Sequence, residues 1–337
     1  MQLDARILDE AVAAEAFTGV VRVDVADQCI LERCEGYIHR ALQVRMKADA
    51  RIAIASGSKS FTALAVMSLV EDGTLRLDQP VREILGQDLP LISADVTIEH
   101  LLTHTSGIGD YLDESGEEGA SDFVLPLPVH RLTTAQAFLP MLDGLPQRCG
   151  PGERFEYCNG GYVVLAVLLE RALDQSYHEA VRRLVFEPAG LRHTAFLPLN
   201  ELPADAAAGY VFNEGDLLNT LHLPVLGNGD GGAFTTAADL HRFWRALLEG
   251  QIVSPTSVDA MIRPRHVVPG EGPRYGMGFW IHPRHPALIM EGYDAGASFR
   301  STHLIASRTT VSVLGNSTEG AWPVIRSLDQ AIDAELG

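Results

Sequence analysis

The sequence predicts a single α/β domain in which one antiparallel sheet is assembled from both ends of the chain. Alternating apolar residues, which are typical of strands, occur near the start and again after residue 275, whereas helical spacing fills the middle. The simplest closure brings the two groups of strands together and packs helices against them. We therefore expect one domain over 1–337, with a sheet region in 1–55 and 275–337 and a mostly helical region in 56–274.

The composition is that of a globular protein that can bury a large core. Of the 337 residues, 46% are hydrophobic and 21% are charged, a balance typical of folded domains rather than disordered chains. The formal net charge is −18, which argues against nucleic acid and anionic membranes as partners because both are polyanions. We therefore expect a small-molecule partner, and the charge leaves the oligomeric state open.

The sequence shows no pattern of secretion, membrane insertion or metal binding. Acidic residues interrupt the N-terminal segment, which lacks the basic start and apolar run of a secretory signal. No uninterrupted apolar stretch reaches the roughly 18 residues of a membrane span. Four cysteines lack metal-ligand spacing, and reduced thiols are a simpler interpretation than a disulfide: Cys29, Cys34, Cys149 and Cys158. We expect a cytoplasmic protein without a metal or cofactor.

The first part of the chain predicts a helix, two strands and a longer helix. Residues 1–17 carry apolar residues at helical spacing, whereas the valines of 18–38 favour two strands around a polar turn. The longer helix begins near Ser56 and ends at Gly73, because glycine suits a C-terminal cap. Ser56 is therefore expected at a helix start.

Helices dominate the middle of the chain, and strands return near its end. Segment 97–130 predicts a short helix and a long polar stretch, and 161–190 predicts two helices. Segment 235–250 predicts another helix, with Thr235 or Thr236 as its cap. Three strand-like segments and a last helix follow, at 275–283, 298–307, 309–317 and about 321–335.

The helix at Ser56 contains one of the two lysines of the chain. Of the 26 basic residues, only Lys47 and Lys59 are lysine, and the others are arginine. A position that needed only positive charge would be expected to use arginine, as the rest of the chain does. Arginine is in effect never deprotonated, whereas a desolvated lysine can lose its proton. Lys59 is therefore a candidate catalytic base.

Ser56 and Lys59 have the spacing of a nucleophile and its base. Three residues apart on a helix, they share one face, with Cβ atoms ~5–6 Å apart. A serine hydroxyl needs an adjacent base to act as a nucleophile, and the N–H groups at a helix start stabilise negative charge there. Ser-x-x-Lys also occurs by chance, and Ser56 as a simple helix cap is the structural alternative.

A family resemblance begins at this helix. SGSKSFTALAVMSLVEDGTLRLDQPV (56–81) resembles the nucleophile helix of the serine β-lactamase and penicillin-binding-protein superfamily, most of all its branch of class C β-lactamases, D,D-peptidases and esterases. Four further segments are similar in the same order: LLTHTSGI (101–108), PGERFEYCNGGYVVLAVLLE (151–170), GDGGAFTTAADLHRFWRALLEG (229–250) and YGMGFWI (275–281). The resemblance spans about residues 15–320 and implies a β-lactamase-like fold. It also implies acylation of Ser56 and proton transfer by Lys59.

Tyr157 and Asn159 match the second motif of this family, Tyr-x-Asn. The resemblance implies that Tyr157 lies opposite Ser56 and shares a proton with Lys59. It implies that Asn159 binds Lys59 or a substrate carbonyl. In the absence of the family pattern, an aromatic residue in such a segment would be interpreted as a packed core residue.

The third motif of the family, Lys-Thr-Gly or His-x-Gly, has no basic residue here. Its best local match is Asp294-Ala295-Gly296, and Tyr293 can be aligned there with a gap. An aspartate would repel the carboxylate of penicillins and D-Ala-D-Ala peptides by ~4 kcal/mol at ~4 Å and an effective dielectric of ~20. We therefore expect weak or no β-lactamase and D,D-peptidase activity.

The same hairpin is expected to supply the remaining substrate contacts. The resemblance implies that Asp294 and Gly296 bind substrate and that the N–H groups of Ser56 and Ala297 form the oxyanion hole. Arg300 would restore a positive charge if it pointed inward. Alternation along a strand, however, puts Arg300 and its neighbour on opposite faces.

Three other signals are weaker. GNGDGG (227–232) fits a dinucleotide-binding pattern, but it lies late in the chain without a βαβ context, so a glycine-rich turn is the better interpretation. His104 is interpreted as a hydrogen-bonded structural histidine. The long acidic segment 112–130, with Glu117 and Glu118, is of the kind that often covers a site.

We predict a serine hydrolase that forms an acyl-enzyme on Ser56 and acts on carboxylic esters or amides. A β-lactamase or D,D-peptidase is the second enzymatic interpretation, and an acyltransferase is a further one. A non-catalytic binding domain with the same fold is the alternative from another class. The expected partner is a small-molecule ester, amide or peptide substrate.

Overall fold

Strands from both ends of the chain lie side by side in one antiparallel sheet, as the sequence predicts. The computed structural model describes residues 17–112, 123–267 and 274–336. The described strands are β1 (Gly19–Val25), β2 (Gln28–Glu35), β3 (Tyr37–His39), β4 (Val44–Arg45), β5 (Ile52–Ala53), β6 (Ala195–Phe196), β7 (Ala233–Thr235), β8 (His266–Val267), β9 (Arg274–Tyr275), β10 (Trp280–Ile281), β11 (Ala287–Asp294), β12 (Ala297–Leu304) and β13 (Thr309–Gly315). Eight of them form the main sheet in the order β2-β1-β13-β12-β11-β10-β9-β8.

The pair β1 and β13 joins the two ends of the chain. The strands run antiparallel, with Gly19 opposite Gly315. Valines that favour a pleated surface face both sides of β1: Val20 packs into the larger core, whereas Val21 and Val23 pack into a smaller core with the last helix. The sheet is therefore covered on both faces.

Helices fill the middle of the chain. The described helices are α1 (Lys59–Glu71), α2 (Arg82–Leu85), α3 (Ile98–Leu102), α4 (Leu139–Leu142), α5 (Asn159–Leu173), α6 (Tyr177–Val181), α7 (Ala237–Leu248), α8 (Pro255–Met261) and α9 (Trp322–Leu336). Thr236 caps α7, because its side chain accepts the N–H of Asp239 at 3.1 Å. Gly73, with φ 79°, follows the end of α1. The cap Thr236 and the glycine after α1 are confirmed, whereas α1 begins at Lys59, after a 3-10 turn that contains Ser56.

Two helices run through the larger core, which explains their apolar sequences. Every residue from Lys59 to Met67 in α1 and from Asn159 to Leu169 in α5 is buried. Lys59 and Asn159 each stand at the first position of their helix, so burial of both helices carries two polar side chains into the core. No helix in the described part of the chain is long and apolar enough to cross a membrane.

Some elements differ from the expectation. Segment 275–283 contains two short strands, β9 and β10, rather than one, because Gly276 and Gly278 break the run. Strand β11 was not assigned from the sequence, and β5, β7 and β6 form a small separate sheet. The helix expected in 1–17 lies almost wholly outside the described residues, as does most of the polar stretch with Glu117 and Glu118.

Candidate active site

A sharp turn before α1 carries Ser56. The turn is a 3-10 turn over Ala55–Ser58, and Ala55 has φ 45°, which is uncommon for a residue with a Cβ atom. Ser58 Oγ donates to Ala55 O at 2.8 Å and accepts the N–H of Ala233 at 2.9 Å. These bonds tie the turn to β7 and so hold Ser56 in position.

Lys59 reaches three acceptors from inside the core. Its Nζ donates to Ser56 Oγ at 2.8 Å and to Asn159 Oδ1 at 2.7 Å. It also donates to the main-chain oxygen of Asp230 at 2.6 Å. Lys59 is 2% exposed, and an ammonium with so little water needs such acceptors. The structure thus brings the predicted nucleophile, the predicted base and Asn159 together.

Tyr157 lies in a stack of rings beside Lys59. Its ring centroid is 4.3 Å from that of His104, with 29° between the planes, and 6.1 Å from that of Trp280, with 10° between the planes. Lys59 Nζ is 5.0 Å from the Tyr157 centroid, within the range of a cation–π contact. Tyr157 lines the same pocket as Ser56. The three predicted catalytic residues therefore share one site.

Asp110 holds the start of α5, and the sequence analysis did not single it out. Its carboxylate accepts the N–H of Asn159 at 2.6 Å and that of Gly160 at 2.9 Å. Burial raises its pKa from 3.8 to about 6, although these N–H bonds act in the opposite direction. Asp110 therefore fixes Asn159 next to Lys59. Its sequence signal is an acid that closely follows the matched segment 101–108.

Asp230 and Tyr111 form a second buried polar group that the sequence analysis missed. Tyr111 Oη donates to Asp230 Oδ2 at 2.5 Å. Burial raises the pKa of the Asp230 carboxyl, and the charge of Lys59 acts against this rise. Burial also raises the pKa of Tyr111 well above 10.0, with a further contribution from the Asp230 charge. The sequence signal for this group is Asp230, the acidic residue within the glycine-rich segment 227–232.

His104 has the structural role expected for it. Its Nδ1 accepts the N–H of Cys158 at 3.1 Å. Burial lowers its pKa well below 6.5, and the nearby Lys59 charge lowers it further. The ring is therefore neutral and supports Tyr157 by stacking.

Strand β11 meets the nucleophile turn at Gly292 rather than at the predicted residues 294–296. A Cβ atom built on Gly292 would lie 2.9 Å from Ser56 N, so only glycine fits there. Gly296 instead lies in the turn between β11 and β12, where its N–H donates to Thr318 Oγ1 at 2.9 Å. The predicted motif residues 294–296 thus span the hairpin turn, and Gly292 is the residue of β11 that packs against the nucleophile turn.

Of the predicted substrate-binding residues, Asn159 lies beside Lys59, whereas Asp294, Gly296 and Ala297 lie at the hairpin between β11 and β12. Asp294 lies on the same face of β11 as Met290 and Gly292. Burial is the main cause that raises the pKa of Tyr111, and the charge of Asp294 makes a smaller contribution in the same direction. Ala297 pairs with Asp294 beside the turn and, like Gly296, does not line the pocket at Ser56. Met290-Glu291-Gly292, the residues of β11 before the predicted motif, contain no basic residue either.

Arg300 does not bring a positive charge to the site. It forms ion pairs with Glu291 and with Asp329 of α9. Its neighbour Phe299 is fully buried on the other face, where a Cβ atom on Gly57 would lie 2.5 Å from the Phe299 ring. The expected alternation of the two side chains is thus observed.

A separate cluster of His282, His285 and Asp333 offers three groups of the kind that bind metals. His285 Nε2 lies 2.9 Å from Asp333 Oδ1. His282 Nδ1 accepts the N–H groups of Arg284 and His285 at 3.3 and 3.1 Å, so a neutral His282 ring carries its proton on Nε2, the nitrogen that would face a metal. The cluster is better described as a polar link between the loop before β11 and α9.

The fold and the site together define a serine hydrolase of the β-lactamase and penicillin-binding-protein type. The sheet from both chain ends, the buried Ser-x-x-Lys helix and the Tyr-x-Asn segment beside it are the defining features.

Comparisons with known proteins identify the family. A profile of the family described as Beta-lactamase matches residues 5–332, and the chain therefore belongs to this family. It is 30% identical over 322 residues to Penicillin-binding protein 4* of Bacillus subtilis (strain 168), which covers 90% of this chain and 69% of that protein. It is 34% identical over 212 residues to Esterase EstB of Burkholderia gladioli, covering 58% and 51%.

A solved structure supports the same assignment. The penicillin binding protein from Bacillus halodurans superposes with a TM-score of 0.89 at 32% identity, covering 96% of this chain and 99% of that chain. The mixed α/β fold with an antiparallel sheet from the N- and C-terminal strands is thus the β-lactamase fold. The chain is a hydrolase of the β-lactamase superfamily.

Proposed function

We propose that this chain hydrolyses carboxylic esters or amides through an acyl-enzyme on Ser56. The observation that carries the proposal is the 2.8 Å contact between Lys59 Nζ and Ser56 Oγ at the edge of a pocket. A lysine in this position can remove the hydroxyl proton, which arginine could not do.

The reactive form is the one in which the Lys59 ammonium has lost a proton: Nζ then keeps two N–H donors for Asn159 Oδ1 and Asp230 O, and its lone pair faces the Ser56 hydroxyl. Lys59 takes the hydroxyl proton while Ser56 Oγ forms a bond to the carbonyl carbon. The bond from this carbon to the leaving alcohol or amine then breaks, and the leaving group receives the proton through Tyr157. Asn159 and the main-chain oxygen of Asp230 keep Nζ oriented throughout.

Deacylation uses water as the second nucleophile. The pair of Lys59 and Tyr157 takes a proton from water as its oxygen bonds to the acyl carbon. The bond to Ser56 Oγ breaks, and the serine recovers its proton from the same pair. The products are a carboxylic acid and an alcohol or amine, and the protein returns to its starting state.

We assign the oxyanion hole to the N–H groups of Ser56 and Tyr293, in place of Ala297. Asp294 and Ala297 flank the hairpin turn and pair with each other, so alternation along the ladder directs the N–H of Gly292 at β12. The N–H of Tyr293 then faces away from β12, toward the edge of β11 nearest Ser56. Two backbone donors at one point stabilise the negative oxygen of the tetrahedral intermediate.

The substrate assignment favours esters and amides that lack a carboxylate near the carbonyl. Met290 and Glu291 line the pocket, and the carboxylate of Asp230 interacts electrostatically with Lys59. The similarity to Esterase EstB agrees with this choice. The similarity to penicillin-binding proteins supports a β-lactamase or D,D-peptidase activity as the second candidate.

Intact-mass spectrometry with p-nitrophenyl butyrate and, separately, with a penicillin tests the proposal. A transient butyryl adduct with turnover, absent in Ser56→Ala, is the expected result. A stable penicilloyl adduct would favour the second candidate. Faster product formation with an added alcohol or amine would indicate an acyltransferase. No adduct and no turnover with either compound would favour a non-catalytic binding domain.

A further inference from the structure

We infer that Asp230 is a positioning residue for the base Lys59: its carboxylate keeps the lysine protonated in the resting protein, and Tyr111 keeps that carboxylate charged. The inference rests on the proposed function, since it concerns the pH at which Lys59 becomes able to accept the Ser56 proton. In this role Asp230 acts through Lys59 and needs no contact with the substrate.

The glycine-rich turn gives Asp230 a fixed place beside the site. Thr62 Oγ1 donates to Gly229 O at 2.6 Å, and the N–H of Gly232 donates to Ala55 O at 3.3 Å. A Cβ atom on Gly229 would lie 2.2 Å from a main-chain oxygen of α5, so the turn packs directly on that helix. Asp230 is thus held between α1, the nucleophile turn and α5.

The charge of Asp230 acts on Lys59 at short range. The main-chain oxygen of Asp230 accepts a hydrogen bond from Lys59 Nζ at 2.6 Å, and the carboxylate of the same residue interacts with the ammonium charge. Lys59 is 2% exposed and Asp230 is 9% exposed, so water and salt screen the two charges little. A negative charge in such a place favours the ammonium over the amine.

Tyr111 helps the Asp230 carboxyl group to stay ionised. Burial is the largest influence on the pKa of Asp230 and raises it, whereas the charge of Lys59 and the hydrogen bond from Tyr111 lower it. Tyr111 Oη donates to Asp230 Oδ2 at 2.5 Å. Burial and the Asp230 charge raise the pKa of Tyr111 well above 10.0, so the phenol keeps its proton and remains the donor.

Rings and an amide form much of the remaining surroundings of Lys59 in the described part of the chain. Its Nζ lies 5.0 Å from the ring centroid of Tyr157 and 5.8 Å from that of Tyr162, and it donates to the amide oxygen of Asn159. Burial lowers the pKa of His104, so this ring is neutral. Tyr157 exchanges protons with Lys59 in the proposed mechanism, and the two groups therefore titrate together.

Two other carboxyl groups lie near the site, and each has different partners. Asp110 accepts N–H groups at the start of α5, and Glu291, which lines the pocket, forms an ion pair with Arg300. The Asp230 carboxylate is instead bonded to the neutral phenol of Tyr111. Its negative charge is therefore the one available to balance the Lys59 ammonium.

Asp230→Asn removes this charge and preserves the contacts around it. Asparagine keeps the main-chain oxygen for Lys59 and a side-chain oxygen for Tyr111. Loss of the opposite charge should lower the pH at which Lys59 loses its proton by about one to three units. The rising limb of kcat/KM against pH reports this group in the free protein, and it should move down by the same amount. Asp143→Asn at an exposed site is the control.

The Lys59 titration can be observed directly because the chain has only two lysines. Lysine labelled with ¹³C at Cε gives one NMR signal for Lys59 and one for the exposed Lys47, which serves as the internal reference. The main step of the Lys59 signal should move down by about one to three pH units in Asp230→Asn, whereas the Lys47 signal should not change.

Protonation of a nearby carboxyl group should add a smaller step to the Lys59 signal at lower pH. The step of Asp230 should vanish in Asp230→Asn. In Tyr111→Phe it should move to higher pH, because the carboxylate loses its hydrogen-bond donor. A step that belongs to Asp110 should stay in both variants, so the two acids are distinguished.

A main step that Asp230→Asn leaves in place overturns the inference, and so does an acid step that responds to neither variant. A lower rate at every pH with the limb unmoved would also overturn it, because Asp230 would then act only on the fold. If Asp230→Asn does not fold, the acid step in Tyr111→Phe decides. The NMR titration needs no turnover. The expected shifts without ester hydrolysis would therefore contradict the proposed function and leave the role of Asp230 supported.

Discussion

Gly292 packs against the main chain of the turn that carries Ser56: a Cβ atom on Gly292 would lie 2.1 Å from Ile54 O and 2.9 Å from the Ser56 nitrogen. The strand that lines the pocket and the turn that carries the nucleophile are thus so close that no side chain fits between them at residue 292.

Replacement of this glycine should disable the site. We expect Gly292→Ala to lower kcat/KM for p-nitrophenyl butyrate at least about 100-fold, because the added methyl group displaces an oxyanion donor. Gly161→Ala is the control, since its Cβ atom meets nothing closer than 3.6 Å. Gly161→Ala should keep its activity. Its free energy of unfolding should stay the same or rise by about 0.5–1 kcal/mol, because alanine favours a helix more than glycine does. Equal rates for the two variants would contradict the assigned contact.

The two lysines allow a test of base catalysis at constant charge. Lys59→Arg keeps the positive charge but cannot release a proton at neutral pH, so we expect kcat to fall at least about 100-fold. Lys47 is exposed, and Lys47→Arg should leave kcat unchanged. Steady-state kinetics on both variants, with folding checked by circular dichroism, provide the measurement. Substantial activity in Lys59→Arg would show that Lys59 acts by charge alone.

Removal of the Tyr157 hydroxyl should separate catalysis from packing. Tyr157→Phe keeps the ring stacked between His104 and Trp280, so the Tm should change little. Loss of the proton carrier should lower kcat about 10²–10⁴-fold. Tyr37→Phe in β3 is the matched control and should match the wild type. A fall in Tm without a fall in kcat would mean that Tyr157 only packs.

Asp110 should make the stability of the protein depend on pH in a direction that is unusual for an aspartate. Burial raises its folded-state pKa to about 6 from 3.8, so the folded state binds more protons than the unfolded state between these values. The stability that Asp110 contributes is fully present below pH ~4 and is lost as the pH rises through ~6. The free energy of unfolding should fall by up to about 3 kcal/mol over this range.

Asp110→Asn imitates the neutral acid and lacks this dependence. Its free energy of unfolding should therefore rise relative to that of the wild type between pH 4 and pH 6.5. Urea titrations at several pH values measure this difference, with Asp143→Asn at an exposed site as the control. A difference that stays flat or changes in the opposite direction would show that the N–H bonds from α5, rather than burial, determine the pKa of Asp110.

The sheet and the main helices could be predicted because local patterns encode them. The valines of β1 have strand character on their own, and the cap and glycine around α7 define both of its ends. The short strands β5, β6 and β7 have two or three residues each. Such segments carry too little periodicity to be recognised, because their neighbours across the sheet define them.

The candidate site shows the same difference between local patterns, which the sequence reports, and long-range contacts, which it does not. Ser56 and Lys59 are close in sequence, and their spacing alone predicts their contact. Asp110 and Asp230 reach the site through tertiary contacts between segments far apart in the chain, which no single-sequence pattern reports. The place of the third motif stays a prediction, because a local match does not report which glycine of the hairpin packs against the turn at Ser56.

The pairing of β1 with β13 also determines when the protein can become active during its synthesis. A ribosome adds about 5–20 residues per second, so β1 waits roughly 15–60 s for the segment 26–308 before its partner emerges. During that interval the hairpin of β1 and β2 has an unpaired edge, a known cause of aggregation. The helix with Ser56 emerges more than 200 residues before β10 and β11, which form the pocket wall. Activity should therefore appear only after β13 has left the ribosome, and shielding of the early hairpin should increase the yield of active protein.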